Sequence, residues 1–408
     1  MKINLVYKYP LKTSPAQGLI LYRWSSGCRY LWNRSLRLKK RLYDRYKVDI
    51  SYFSRNVCGE KTKEGLNKRL TKLRSRYDWL SECPNGCQQE ILRDLDKSYQ
   101  NFYRRVKRGE TPGYPKFKRR SELPRLYFSK DRISLSVDGN RAYIKIPKMP
   151  ALRVFYDRPA LESPTDVLQS VSLVYERERW YICMLVQKEL EISHRSPTPT
   201  VGIDMGITKT YTLSDGTIYN LDIDKIKKLE SRKAVLERRL SRKIGSKKGQ
   251  KKSKNWLEQR KRINKICQQI ADIRKNFNHH TSKEIVDNYG TIVVENLKIS
   301  NMSRSAKGTL EESGSMVKQK SALNRSILRQ GWRQFRVMLE YKSGWRGGTV
   351  IGVPPQYTSQ MCSVCGYVDF KNRCTQASFK CVSCGHTENA DVNASKNILN
   401  KALAGSPG

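Results

Sequence analysis

The chain has 408 residues, with 80 lysines and arginines against 37 aspartates and glutamates, a formal net charge of +43. That length suits roughly three domains with real hydrophobic cores, and a hydrophobic content of 38% with 9% aromatics excludes a wholly disordered basic tail. The longest apolar runs, such as Tyr181–Val186, fall far short of the ~20 residues of a membrane span, and the opening MKINLVYKYPLK has no apolar secretory-signal core. What remains is a protein of the cell interior whose excess positive charge needs a polyanion, nucleic acid above all.

The charge is uneven. Residues 1–150 carry 36 basic and 13 acidic side chains, residues 151–200 carry 6 and 7, and residues 225–275 carry 20 and 4. A merely solubilising surface would not alternate in this way, so the basic blocks read as binding faces around a more ordinary core.

Over residues 1–9, Ile3, Leu5, Tyr7 and Tyr9 alternate as a short strand, which Pro10 and the Ser14-Pro15 pair are expected to end. From about residue 16 to 110 the period becomes helical, with Leu92, Leu95, Tyr99 and Phe102 on one face, until Gly109, Pro112, Gly113 and Pro115 break it. Strand signals return near Leu126. Val171, Leu173 and Tyr175, then Trp180, Ile182, Met184 and Val186, alternate around a turn at Glu176–Arg179 and predict a hairpin. The first strand and these later ones are expected to share one sheet or barrel, with the helical block inserted between them. Ser196–Thr200 reads as a linker. The next domain opens VGIDMGITKTYTLSDGTIY, three strands with a turn at Ser214-Asp215-Gly216. A helical hairpin follows, its first arm carrying Ile226, Leu229, Leu236, Leu240 and Ile244 and its second Trp256, Ile263, Ile266, Ile270, Ile273 and Phe277, joined by a flexible basic tip. Another helix is expected to run to Tyr289, before the short buried strand Thr291–Glu295.

Of the cysteines, Cys362, Cys365, Cys381 and Cys384 form two CxxC pairs separated by 15 residues, each pair followed by a glycine. This is a four-thiolate zinc pattern, structural because four protein ligands leave the metal no open position. Cys374 and His386 lie nearby with no vacancy to fill, and Cys83-x3-Cys87 reads as ordinary packing. Three carboxylates stand out. Asp204 lies in an apolar strand, Glu295 ends another, and Asp391 opens a helix after the second cysteine pair. Singly they are a turn residue, a solvated acid and a helix cap. Together they could hold divalent metal for phosphoryl chemistry, since hard cations take oxygen ligands.

At these residues the sequence resembles a known family. VGIDMGI, VVENLKISNMSRSAKG, ALNRSILRQGWRQFRVMLEYK, PPQYTSQMCSVCG and FKCVSCGHTENADVNASKNIL follow, in order and spacing, the TnpB family of insertion-sequence proteins, relatives of the type V CRISPR effector nucleases. YKYPLKTSPAQ, CRYLWNRSL and TPGYPKFKRR look like its early signatures. The resemblance implies an α+β multidomain protein: a wedge β-barrel from residues 1–12 and 125–198, an inserted helical recognition lobe over 13–124, and a RuvC nuclease domain of RNase H-like fold from 199–351 and 386–408. The basic helical hairpin would span 225–278 and a zinc ribbon 352–385. It implies an RNA-guided endonuclease of a transposon, cutting double-stranded DNA beside a short motif with a guide RNA derived from the transposon end. Asp204 would bridge two Mg²⁺ ions, with Glu295 and Asp391 holding one each and one zinc on the four cysteines. The family often has an arginine before the third acid, where this chain has Ala390, and many members carry a longer tail than the 17 residues that follow Asp391.

Lys227, Arg238, Arg239, Arg242, Lys261 and Arg262 are candidates to track the guide–target phosphates, and Tyr357 to stack an unpaired base. The expected state is a monomeric ribonucleoprotein, cytoplasmic and nucleoid-associated in a prokaryote, with no membrane partner. Two alternatives stand beside it: a nuclease-inactive RNA-guided repressor, against which the intact acids argue, and a DNA-strand-transfer transposase, against which the cysteine ribbon between Glu295 and Asp391 argues. A guide–target heteroduplex of roughly 20 base pairs carries about 40 phosphates, so the net charge is on the scale of one heteroduplex.

Overall fold

Ile3, Leu5, Tyr7, Tyr9 and Leu11 form the inward side of β1 (Lys2–Lys12). Pro10 does not end this strand: Lys2–Pro10 pair with one neighbour and Leu11–Lys12 with another. Proline cannot donate to a ladder, and the handover between two partners is where its missing N–H matters least. Ser14 then caps α1 (Pro15–Tyr46), accepting from the Gln17 N–H at 3.2 Å while Gln17 Oε1 accepts from the Ser14 N–H at 3.0 Å. A reciprocal cap of this kind contributes about 1 kcal/mol. α2 (Leu66–Arg76), α3 (Asp78–Ser81) and α4 (Asn85–Lys107) complete the helical block. β2 (Leu126–Ser129), β3 (Ser134–Asp138), β4 (Arg141–Ile146), β5 (Met149–Phe155), β6 (Val167–Glu176) and β7 (Arg179–Glu189) follow.

The computed structural model describes residues 1–47, 51, 65–138, 141–189, 199–246, 249–308 and 313–404. It divides into two units, residues 1–190 and 191–408. In the first, seven strands form one antiparallel sheet in the order β2-β6-β7-β1-β5-β4-β3. The expected barrel is thus a half-barrel, with β2 and β3 at its edges among the described residues. The four helices are inserted between β1 and β2, and strands and helices share one core built on Tyr9, Trp24, Leu36, Leu95, Ile144 and Met184. The β6–β7 hairpin turns at Arg177 and Glu178, both at positive φ, as a two-residue turn between twisted strands requires. Cys83 and Cys87 are buried beside Cys28, in keeping with a packing role.

The second unit opens with β8 (Thr200–Asp204), β9 (Tyr211–Leu213) and β10 (Ile218–Tyr219). The proposed linker before it lies mostly outside the described residues, from 196 to 198. The helical hairpin is α5 (Ile223–Ser241) and α6 (Lys254–Asn288). Two expectations change here. α5 stops before Ile244, which is 76% exposed next to Gly245 at φ +98°. The second arm and the helix expected after it are one continuous helix, since no glycine or proline interrupts residues 254–288. β11 (Thr291–Glu295), α7 (Ile299–Met302), α8 (Val317–Gln330), α9 (Trp332–Trp345), β12 (Thr349–Val353), β13 (Ser378–Lys380), β14 (Thr387–Asn389) and α10 (Ala390–Ala404) complete the unit.

Its main sheet has the order β10-β9-β8-β11-β12, with β8, β11 and β12 parallel to one another and the first three strands antiparallel. Residues of α6, α8 and α9 pack with Val201, Ile203, Ile292 and Val294 in one core. Ile398 and Ala402 of α10 pack with Val293 and Val353 in another. Burial of both faces explains the unbroken apolar run of β11. α10 approaches β8 at Gly202, where a Cβ would stand 2.2 Å from the Ser395 carbonyl oxygen and 2.9 Å from the Leu399 nitrogen.

Gly202→Ala should therefore force the helix off the strand and destabilise the protein by roughly 1–3 kcal/mol, the range for overpacking. Gly344→Ala, with no atom within 4 Å of the new methyl group, should be neutral or slightly stabilising. Denaturant unfolding of the two variants checks this pair.

Candidate active site

Asp204 ends β8 and Glu295 ends β11. The parallel register pairs Ile203 with Val294, so the two acids are the next residues along neighbouring strands. The carboxyl ends of parallel strands are where such sheets place their ligands. Asp391 arrives from the first turn of α10, the helix seated on β8 and β11.

Asp204 lies close enough to feel the charges of the other two. The Asp204 carboxyl is pushed up to about 7, by burial first and then by the charges of Glu295 and Asp391, with Arg373 pulling the other way. Burial likewise raises Glu295, against a hydrogen bond donated by Thr358 Oγ1 at 2.6 Å. Asp391 Oδ1 accepts from Arg373 Nη2 at 3.4 Å, and Lys209 Nζ stands 4.0 Å from its Oδ2. The donors are all oxygen, and a buried acid between two other acids is costly as an anion until a cation arrives. That chemistry fits a hard divalent ion such as Mg²⁺.

The four cysteines are brought together more tightly. Their sulfurs lie within 4.8 Å of one another, and among the described residues this is the only set of three or more such donors that close; the carboxylates stand further apart. Cys362 and Cys384 Sγ are 3.7 Å apart, and Cys365 and Cys381 Sγ 3.6 Å. A tetrahedron with zinc–sulfur bonds of about 2.3 Å has edges of about 3.8 Å, so the donor set fits zinc. The two halves repeat one geometry. Gly366 N–H bonds the Cys362 carbonyl and Gly385 N–H the Cys381 carbonyl, both at 3.0 Å, with φ of +73° and +75°. Buried Asn372 ties the halves together, donating to the Gln360 and Tyr367 carbonyls and accepting from the Val382 N–H. Cys374 and His386 stay outside the cluster. Ala390 is fully buried with Cys362, Phe379 and Cys381, a place with no room for the arginine the resemblance suggests.

Among the basic candidates, Arg239 and Arg262 line one groove of about 640 Å³ between α5 and α6, joined by Arg232 and Lys265. Lys227, paired with Asp224 at 3.7 Å, lies 12 residues before Arg239 on the same helix, about 18 Å away along its axis. Arg238, Arg242 and Lys261 are exposed on the hairpin outside that groove's lining, and Tyr357 is 63% exposed at φ +61°. The sequence reading missed a second basic groove, about 490 Å³ between α1 and α2, lined by Arg34, Arg37 and Arg41 on one side and Arg69, Lys72 and Arg76 on the other. Its signal was available: both triplets have the 3, 4 spacing of one helix face. Arg373, Lys209 and Thr358 were also missed, and no local pattern marks them, because only the fold brings them to the acids. Among the described residues no helix is long and apolar enough to cross a membrane.

Comparisons with known proteins agree with this layout. Residues 181–306 match a family described as "Probable transposase", and residues 332–398 match the "Cas12f1-like, TNB domain". Residues 1–47 match a "Helix-turn-helix domain", although here they fold as β1 and the single helix α1. The chain is 34% identical over 98% of its length to an Escherichia coli K12 protein named "Putative RNA-guided DNA endonuclease InsQ", spanning 92% of it. It is 30% identical over 54% of its length to the "CRISPR-associated endodeoxyribonuclease Cas12f1" of Sulfoacidibacillus thermotolerans, spanning half of that protein. Its fold is similar to a chain in a cryo-EM structure of a Cas12f1–sgRNA–target DNA complex, with a TM-score of 0.54 and 16% identity over 97% of this chain and 98% of that one.

Cys365→Ser should lose about one equivalent of bound zinc, measured by elemental analysis of the purified protein, whereas Cys374→Ser should keep it.

Proposed function

Because the chain belongs to the TnpB family of RNA-guided DNA endonucleases, we propose that it is itself such an enzyme: a guide RNA selects a DNA site, and a carboxylate centre on the five-stranded sheet hydrolyses the phosphodiester bond. The observation that carries this reading is the placement of Asp204 and Glu295 at the carboxyl ends of adjacent parallel strands, with Asp391 brought close enough by α10 to act on Asp204. Clustered acids in a protein of net charge +43 would repel phosphate and serve no purpose in a binder alone.

In this reading residues 199–351 and 386–408 are a RuvC domain of RNase H-like fold, supported by the strand order and by acids at adjacent strand ends. Residues 352–385 are its zinc ribbon. Residues 1–12 and 125–198 are the wedge sheet and 13–124 the recognition lobe, with guide RNA and target DNA as partners. The protein acts as a monomeric ribonucleoprotein at the nucleoid of a bacterial cell.

Asp204, Glu295 and Asp391 are the residues that would hold Mg²⁺. Bound Mg²⁺ supplies an activated water and stabilises the leaving oxygen. The chain's own residues do the rest. Thr358 donates to Glu295 and leaves its second oxygen available. Arg373 and Lys209, which stand beside Asp391, offer two positive charges to a phosphate bound at the acids. The six α1–α2 side chains and the α5–α6 groove offer the phosphodiester backbone matching rows of charge. Tyr357, open to solvent, is placed to stack an unpaired base.

Purified with its co-expressed RNA and offered a plasmid library with Mg²⁺, the protein should make RNA-dependent double-strand breaks. Asp204→Ala should abolish cutting, a loss of several orders of magnitude, while RNA remains bound. Cutting unchanged by that substitution would sink the nuclease assignment. Replacing Arg239 and Arg262 together by alanine should weaken RNA or DNA binding and flatten its dependence on salt concentration, with a slope lower by about one per lost phosphate contact.

A further inference from the structure

Glu295 must aim its carboxylate from the last position of a strand, and the structure shows what holds it. The side chain is 8% exposed and Thr358 is 4% exposed. Thr358 Oγ1 lies 2.6 Å from Glu295 Oε1 and 3.1 Å from the Pro355 carbonyl oxygen. A hydroxyl has one hydrogen to give, and the charged, nearer carboxylate takes it. Among the described residues Thr358 is the hydrogen-bond donor to this carboxylate, so Oε1 is pinned and Oε2 is left for a cation.

Thr358 is itself held from α10. Its carbonyl accepts from Asn397 Nδ2 at 2.9 Å, and the same amide donates to the Met361 carbonyl at 2.6 Å. One turn earlier, Asn393 Nδ2 donates to the Met361 carbonyl at 2.8 Å while its Oδ1 accepts from the Ser363 N–H at 2.9 Å. Both asparagines are fully buried, on the helix whose first turn carries Asp391. Residues 358–363 are thereby clamped to α10 immediately before and across the first cysteine of the ribbon.

We propose that Thr358 is the positioning residue for Glu295, and that the segment between β12 and the cysteine ribbon exists in part to present its hydroxyl at a set height above α10. The inference rests on the reading of Glu295 as a metal-holding acid and adds to it the group that aims that acid. Ligating carboxylates are commonly fixed by such a partner, whose loss costs roughly 10- to 100-fold in metal affinity or activity. The competing account is that Thr358 merely satisfies a buried hydroxyl and knits the loop.

Thr358→Val keeps the shape and removes the donor; Thr358→Ser keeps the donor and removes a methyl group. Mn²⁺ binding to the full chain with its guide RNA, followed by electron paramagnetic resonance without DNA, should weaken roughly tenfold or more in the valine variant and stay within about twofold of wild type in the serine variant. In cleavage assays the valine variant should need correspondingly more Mg²⁺ for half-maximal rate, with much of the rate recovered at high Mg²⁺. Zinc content and thermal midpoint, measured alongside, should stay close to wild type. Should the valine variant fold poorly, Thr358→Ala serves in its place.

Glu295→Gln separates the two levels of the claim. If it leaves Mn²⁺ binding unchanged, the carboxylate reading itself fails. If it weakens binding while Thr358→Val does not, only the positioning role fails. Equal impairment of the serine and valine variants also overturns it, because the hydroxyl would then not be what matters.

Discussion

The second unit depends on one close approach: the last helix lies against the first strand of the sheet at Gly202. Nothing larger than hydrogen fits there, and the contact sets the height of α10 over the sheet. From that seat Ile398 and Ala402 cover Val293 and Val353, the sheet becomes buried on both faces, and Asp391 comes within reach of acids 187 and 96 positions earlier in the chain. The same helix carries Asn393 and Asn397, which hold the segment leading into the ribbon. Site and scaffold therefore share one element, and a fault in its packing would be felt at the carboxylates.

A second constraint is electrostatic. A chain of net charge +43 gathers three of its 37 acids at the carboxyl end of one sheet, where burial and the charges of Glu295 and Asp391 push Asp204 up to about 7. Folding alone gains little from that arrangement, since Asp204 and Glu295 lose hydration on burial. Arg373 and Lys209 offset part of the cost at Asp391, one from the ribbon and one from the β8–β9 turn. The basic grooves, one in each unit, have the opposite character, being solvated and matched to phosphate.

The candidate site was legible in the sequence to an unusual extent, for reasons that can be named. Four thiols in two CxxC pairs have few uses other than a metal, and the glycines after each pair occupy the positive-φ position that the turn requires. An acid closing an apolar run, as Glu295 does, is conspicuous because burying a carboxylate is costly unless something pairs with it. The three-strand opening of the second unit and the long helical hairpin followed from periodicity alone. What periodicity could not supply were boundaries set by partners. Pro10 is tolerated because β1 changes neighbour there, and α6 runs on past Phe277 because α9 packs along it. Strands β3 to β5 fall where strand signals return, but their short, half-exposed pattern does not delimit them one by one.

The sequence by itself determined the inventory: the acids, the thiols, the two basic blocks, the order of strand and helix, and through them the family. Those properties live in residue type and local spacing, which the chain carries before it folds. Only the tertiary structure decided which side chains face one another across long separations. It brought Thr358 to Glu295 and Arg373 to Asp391, opened the first sheet into a half-barrel, and set two triplets of basic side chains along a common groove. Such pairings depend on strand register and on the seating of one helix against a strand, and neither leaves a trace in the spacing of neighbouring residues.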